Sequence, residues 1–163
     1  MEQEFLKSIL DYNEETGVFL WKVSRGCIRK GEEAGNTRPD GYYRIRIENK
    51  PYFAHRLAWL YIHGKFPDNH IDHINGDTSD NRLSNLREAT NQQNQYNVTK
   101  LRCDNSTGYK GVSFNKRDNK FQAQIRINGK LIFLGYFDSA KKAGAAYERA
   151  AKNFHGEFYR KIS

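Results

Sequence analysis

The chain of 163 residues is long enough for one ordinary domain or two small ones, and its 37% hydrophobic content argues against extensive disorder. Its net charge of +8 suggests a polyanionic partner such as nucleic acid or an acidic membrane surface. Two cysteines without partner spacing, Cys27 and Cys103, argue against a disulfide framework or a structural zinc knuckle, and "LAWLYI" at 57–62, the longest purely apolar stretch, is too short to span a bilayer.

The opening "MEQEFLKSILDYNEETG" carries acids where a signal peptide would carry a basic region and an apolar run, so a cytoplasmic protein in a reducing compartment is expected. Phe5, Leu6, Ile9 and Leu10 lie at helical spacing, and "GVFLWKV" after them is strand-like. The stretch "SRGCIRKGEEAGNTRPDG" lacks periodicity and reads as loop. Tyr43, Ile45 and Ile47 alternate with Arg44 and Arg46, which predicts a strand that turns near Asn49-Lys50 into a second strand at 51–54. A helix over 55–63 follows, ended by Gly64.

Residues 70–99 form an Asn-rich unit. "NHIDHINGD" predicts a short strand with a turn at Asn75-Gly76, then come a loop, a second short strand at "NLREA" and a helix from Thr90, where Thr90 and Gln93 fit the S/T-x-x-E/Q capping box. A phosphodiesterase needs a divalent metal on a few oxygen ligands with open positions, and an imidazole to take the proton from water. Neighbours on a strand point to opposite faces, so Asp72 can act as ligand and His73 as base, with an amide oxygen from Asn94 on the helix. The competing reading is structural, because Asn-rich turns commonly hydrogen-bond their own backbone.

"LRCDNSTG" then reads as a linker before an abrupt rise in basic charge. Residues 1–99 hold 13 Lys/Arg against 14 Asp/Glu, while residues 100–163 hold 14 against 5. "YKGVSF", "KFQAQIRI" and "KLIFLGYF" predict three strands, with Asn128-Gly129 as a type I′ hairpin pair. Phe121, Ala123, Ile125 and Ile127 share one face and Gln122, Gln124 and Arg126 the other; the strand aromatics are mostly assigned to the inward register. Asp138 or Ser139 caps a helix with an apolar stripe of Ala143, Ala146, Tyr147, Ala150 and Phe154. The sheet face left free by that helix presents amides and a guanidinium suited to base edges in a major groove.

Over 108–158, the elements "KGV", "AQIR", "LGYF" and "AAYERAA" in order resemble the DNA-binding domain of the ethylene-response-factor (Apetala) family. The resemblance implies a three-stranded sheet in the major groove, with Lys110, Gln124, Arg126 and Lys130 as contacts; departures at Ser113, Asn115 and around Arg117 keep the plant target sequence from being carried over. "HIDHINGDTSDNRLSNLREATNQQNQYN", with "AHRLAW" ahead of it, resembles the HNH endonuclease family in its phage homing branch, which ends on Asn instead of His. That resemblance implies a ββα-metal fold over about 52–97, with Asp72 and Asn94 as metal ligands, His73 as general base and Asn85 as the structural central Asn. It also suggests a place for His55 near the phosphate, against the plainer reading of a capped helix end. His70 lies beside the site or simply lines the cleft, Asn75, Asp77 and Asn81 shape the loop, and His63 and His155 are expected as surface or terminal helix residues.

The expected fold is α+β: an N-terminal leader at 1–50, a ββα-metal nuclease core at 51–100, a linker at 101–107, and at 108–163 a three-stranded antiparallel sheet packed on one helix. The expected function is a metal-dependent endonuclease of the HNH homing type acting on double-stranded DNA, with Mg²⁺ favoured and Mn²⁺ as substitute. No membrane and no obligate protein partner are expected. The competing functions are a DNA-binding regulator with an inactive nuclease-like module and, from ten Tyr and ten Phe, an RNA-binding protein.

Overall fold

Helix α1, Gln3–Ile9, buries Leu6 and Ile9 and runs straight into strand β1, Leu10–Tyr12, in a computed structural model that describes residues 1–98, 101 and 103–160. Strand β1 pairs antiparallel with β2, Phe19–Trp21, so that Leu10, Tyr12, Phe19 and Trp21 face inward and Asp11 and Leu20 outward. A second sheet, in the order β3-β4-β5, joins Asn36–Thr37, Tyr43–Ile47 and Lys50–Phe53. In β4, Ile45 and Ile47 are buried and Arg46 is exposed, the alternation of a half-buried strand. The hairpin turns at Glu48 and Asn49, with φ of 48° and 63°, one residue earlier than the sequence pattern predicts. Two left-handed residues in succession give the type I′ twist that suits a two-residue hairpin.

Helix α2, Ala54–His63, buries Ala54, Leu57, Ala58 and Leu60, and Gly64 ends it at φ 79° by donating its N–H to Leu60 O at 3.0 Å. The segment expected as a separate leader shares one core with this helix: Leu6, Leu10, Phe19, Ile45 and Ile47 pack with Leu57, Leu60, Ile71 and Leu86. Strand β6, His70–His73, then pairs antiparallel with β7, Leu86–Ala89, which follows a single 3₁₀ turn at Leu83–Asn85. Helix α3, Asn91–Asn97, completes the ββα order.

The chain forms two compact units, Met1–Asn91 and Gln92–Ser163. In the second, β8 (Val112–Asn115), β9 (Lys120–Ile127) and β10 (Lys130–Phe137) form an antiparallel sheet in the order β10-β9-β8, with α4, Ala140–His155, packed on it. Ala123 and Ile125 are buried from the sheet, and Ala143, Tyr147, Ala150 and Ala151 from the helix. Gly111 sits at φ 69° where a Cβ would run into the Tyr147 ring and the Gln124 carbonyl, so only glycine lets β8 come this close. Asn128 and Gly129 take φ of 48° and 78° in the β9–β10 turn, and Ser139 caps α4, its Oγ accepting from Lys142 N at 3.3 Å.

One sequence expectation fails in α4 and another is met in part. Phe154, expected in the apolar stripe, is 57% exposed, and His155, expected as a surface or terminal helix residue, ends the helix but is buried at 6%. The buried row runs at i, i+4 through Ala143, Tyr147, Ala151 and His155, which leaves Phe154 off its edge. His155 stacks flat on Tyr96, ring centroids 3.5 Å apart, and its Nε2 lies 3.4 Å from Arg126 O. In the expected linker, Asn105 Oδ1 accepts from the N–H groups of Thr107 and Gly108 at 3.1 and 2.9 Å, an Asx-type turn. Thr99 and Lys100 at the end of the expected core, Arg102 in the linker, and residues 161–163 lie outside the described residues. No helix of the described residues is long and apolar enough to cross a membrane.

Candidate active site and nucleic-acid face

On β6 the alternation sends Ile71 into the core, where it is 7% exposed, and leaves Asp72 on the other side directly across from Arg87 of β7. Asp72 is 3% exposed, and its Oδ2 accepts from Arg87 Nε at 2.9 Å and Nη2 at 2.7 Å. A carboxylate this deep requires a compensating charge, and the cross-strand register supplies it.

His73, the next residue, is 4% exposed, and its ring meets that of His55 edge-on at 5.1 Å between centroids. Tyr42 closes over both, 5.5 Å from His55 and 5.9 Å from His73, and Phe53 stacks on His55 at 5.3 Å. Burial holds His73 below the usual imidazole range, against the pull of the Asn81 amide and of the Asp72, Asp80 and Asp77 carboxylates. His55 is pushed down to about 3, first by burial and then by the neighbouring His73 and Arg56. Its Nδ1 has no hydrogen-bond partner among the described residues. His55 is thus brought to His73, inside the first turn of α2. His70 is exposed at the start of β6, where with Arg56, Asp68 and Thr90 it lines a polar groove of about 360 Å³.

The loop between the strands is held by side chains. Asn85 Oδ1 accepts from Asn75 N at 2.9 Å, and its Nδ2 donates to Asp80 O at 2.8 Å, so one amide spans the two sides of the loop. Asp80 pairs with Arg82, whose Nε and Nη2 hydrogen-bond its carboxylate at 2.8 and 2.6 Å and help hold it down to about 2. From the N-terminal segment, Tyr12 Oη donates to Asn81 O at 2.7 Å, and Glu14 O accepts from Leu83 N at 3.3 Å. Gly17, at φ 75°, fits so closely that a Cβ would lie 2.5 Å from Arg82 N. Among the described residues no three His, Cys, Asp or Glu side chains gather where they could hold a metal ion.

The second unit carries 14 Lys/Arg against 5 Asp/Glu. On the outer face of its sheet, Gln122, Gln124 and Arg126 of β9 lie opposite Tyr136, Phe133 and Leu131 of β10. Those three β10 residues are 46%, 50% and 57% exposed, which corrects the expectation that the strand aromatics face inward. Leu131 and Phe133 face out by alternation, opposite Arg126 and Gln124, and a bulge at Leu134 adds Tyr136: Gly135 pairs with Ala123, so Tyr136 returns to the outer face while Phe137 turns in. Lys130 is exposed at the start of β10. Lys110, expected as a DNA contact, is half-buried and engaged within its own unit. Its Nζ donates to the carbonyls of Val98, Gln95 and Tyr96 at 2.8, 3.3 and 3.4 Å, capping the end of α3, and burial lowers its pKa.

The family model described as HNH endonuclease matches residues 52–96. An uncharacterized HNH endonuclease of Acanthamoeba polyphaga mimivirus is 34% identical over 106 residues, 64% of this chain and 54% of that one. Protein 3.8 of Escherichia phage T7 is 30% identical over 107 residues, which cover 65% of this chain and 87% of the phage protein. The chain belongs to the HNH endonuclease family. Over a stretch of 51 residues, 31% of this chain and 10% of that one, the chain is 43% identical to the AP2-like ethylene-responsive transcription factor TOE2 of Arabidopsis thaliana. The chain thus spans about half the mimivirus relative and a tenth of the plant factor. The solved HNH homing endonuclease I-HmuI, described for DNA binding and cleavage, covers 88% of this chain at 21% identity and a TM-score of 0.47, too loose a likeness to place any residue of the site.

The HNH segment 52–96 contains His55, His70, Asp72, His73, Asn85 and Asn94. Of these, the structure brings His55 to His73 and places Asp72 and Asn85 on the same hairpin; Asn94, half-buried on α3, belongs to the second unit. Sequence reasoning missed Arg87 and Tyr42. The signal for Arg87 was present, since pairing "HIDH" with "LREA" in register puts Arg opposite Asp. Tyr42 had none, lying 13 residues before His55 in a stretch read as loop and strand.

Proposed function

We propose that this HNH endonuclease hydrolyses phosphodiester bonds in double-stranded DNA with a divalent metal, cutting through its HNH segment, residues 52–96, and holding DNA through the sheet β8–β10 that follows. The observation that carries the reading is the buried Asp72-His73 pair on β6, with His55 and Tyr42 closed against His73 and the loop behind it pinned by Asn85.

The donor set fits a hard cation. Asp72 offers a carboxylate and Asn94, within the family match, an amide oxygen; neither is a sulfur or imidazole ligand, which favours Mg²⁺ with Mn²⁺ as a substitute. Two protein donors leave positions for water and substrate oxygens, and the metal when bound would stabilise the negative charge that develops on the scissile phosphate. His73 takes the proton of the attacking water on its imidazole. Asp72 and His73, adjacent on β6, are kept apart in role by pointing to opposite faces of the strand. His55 and Tyr42 shield the His73 ring from bulk solvent. In the second unit Gln124, Arg126 and Lys130 make the DNA contacts, and Lys110 is withdrawn from that role.

One observation favours a DNA-binding regulator with an inactive module instead: Asp72 is already neutralised by Arg87, as a purely structural pair would be. Plasmid conversion decides between the two. Supercoiled DNA with Mg²⁺ should become nicked or linear with the wild type, and neither with EDTA nor with His73→Ala, while a gel shift shows that the variant keeps its DNA affinity. Wild-type protein that binds tightly and never cuts with Mg²⁺ or Mn²⁺ would establish the regulator.

A further inference from the structure

The outer face of the second unit's sheet is half polar and half apolar, and the two halves alternate residue by residue. Across β9 and β10 the register sets Gln124 beside Phe133, Arg126 beside Leu131 and Gln122 beside Tyr136. Phe133 and Tyr136 touch edge to face at 5.0 Å between centroids, and the bulge at Leu134 is what puts Tyr136 on the side of Phe133. Gln122 is engaged, its Nε2 donating to Ser113 Oγ at 2.9 Å, whereas the Gln124 amide has no side-chain partner among the described residues. Among the described residues the Arg126 guanidinium makes only a long contact, 3.5 Å, to Gly129 O. Solvent-facing apolar side chains of this size on a strongly basic unit need a partner that offers both negative charge and apolar surface.

The major groove of duplex DNA offers that combination at one base pair. Adenine presents N7 and N6–H₂, which a glutamine amide meets with two hydrogen bonds, and its thymine presents a C5 methyl, which takes an apolar neighbour. A guanine presents two acceptors and no methyl, and its cytosine has none either, so a Gln–Phe pair has no comparable fit there. From this juxtaposition we infer that Gln124 and Phe133 form a reader of A·T pairs: Gln124 takes the adenine edge and Phe133, with Leu131 next to it, takes the thymine methyl. The inference rests on the reading of the second unit as a duplex-DNA binder and adds which bases it prefers. Arg126, one step along β9 on the same face, is the group suited to a guanine at a neighbouring pair. An aromatic platform for single strands would use the same rings by stacking on base planes, but stacking needs neither the amide nor the methyl.

The test separates these possibilities. A random-sequence duplex pool is selected on the full chain in EDTA, so that binding is read without cutting, and the best-bound duplex is resynthesised with deoxyuridine in place of thymidine. Base pairing is unchanged and only the methyl groups are lost. Selected duplexes should share at least one A·T pair, and affinity should fall about fourfold per contacted methyl, the equivalent of one buried methyl group. Phe133→Ser should bind the thymine and uracil duplexes equally, and Phe133→Leu should restore part of the difference. A motif of G·C pairs alone, or equal binding of the two duplexes by the wild type, overturns the inference while leaving the duplex-binding reading intact. Tighter binding to single-stranded RNA or DNA overturns it in favour of a stacking platform, and no binding to any duplex pool removes the reading on which it rests.

Discussion

Replacing Asn85 by Ala should damage stability and cleavage together, and the size of the effect follows from two hydrogen bonds. The side chain accepts from Asn75 N at 2.9 Å and donates to Asp80 O at 2.8 Å, and Asn85 itself is 6% exposed. Truncation leaves a backbone donor and a backbone acceptor without their partner and opens a small void, but Asn75 is at the surface and water recovers part of its bond. A net loss of roughly 2 kcal/mol results, in the range for one deserted buried group plus one weakened exposed one. For a unit the size of Met1–Asn91 this lowers Tm by about 8–16 °C. The assay is calorimetry of the purified variant alongside plasmid cleavage well below the new Tm. Asn85→Asp is the sharper companion, because it keeps the acceptor for Asn75 but turns a carboxylate oxygen toward the Asp80 carbonyl. A variant that melts with the wild type and cuts at full rate would refute the bridging role.

Other perturbations have directions set by the same coordinates. Gly17→Ala puts a Cβ 2.5 Å from Arg82 N and 2.6 Å from Asn81 C at φ 75°, so it should cost roughly 2–4 kcal/mol in urea denaturation; unchanged stability would show that the N-terminal turn does not rest on the loop. His55 has a folded pKa of about 3, below its unfolded value near 6.5, so its contribution is fully present above pH 6.5 and is lost as pH falls toward 3. With His73, Arg56 and Tyr42 around it, denaturation at pH 7 and pH 5 should differ by roughly 2 kcal/mol from this residue, and His55→Phe should flatten that difference. Equal slopes in the two proteins would count against a buried neutral imidazole. Arg126→Ala should weaken binding to a selected duplex by roughly 1–3 kcal/mol while random DNA is held nearly as well; equal losses on both would mean a phosphate contact only.

What could be read from the sequence was local, and what could not depended on register or distance. The alternation of β9 and the Asn128-Gly129 turn are written in neighbouring residues, and both stand in the structure. The same alternation applied to β10 fails after Phe133, because a bulge changes which residues face out and "KLIFLGYF" contains no residue that announces it, apart from Gly135 at φ 130°. Lys110 is expected at DNA from the resemblance to the ethylene-response-factor family, position by position, but its Nζ reaches a helix end that lies 12 to 15 residues back in the chain. Asp72 and His73 were recognisable by residue type, whereas the groups around them were not: Arg87 comes from a paired strand, and Tyr12 reaches Asn81 across 69 residues.

The least legible part, residues 1–50, bears most directly on whether the nuclease segment can exist. The family match covers only residues 52–96, roughly 45 residues with no disulfide, since Cys27 and Cys103 are free and exposed, and a segment of that size is at the edge of what folds alone. Its apolar groups, Leu57, Leu60, Ile71 and Leu86, complete their core with Leu6, Leu10, Phe19, Ile45 and Ile47 from the preceding segment. Among the described residues strand β5 pairs with β4 alone, across the boundary expected at residue 50. A chain beginning at Pro51 would therefore expose the inner faces of α2 and the β6–β7 hairpin and lose the Tyr12 support of the Asn81 loop. The expected outcome is loss of a cooperative melting transition for the first unit, with the second unit, whose core is its own, still melting near its original temperature. Two preserved transitions in calorimetry would show that the first fifty residues are an appendage after all, and would move the origin of the loop's rigidity to Asn85 and Arg82 alone.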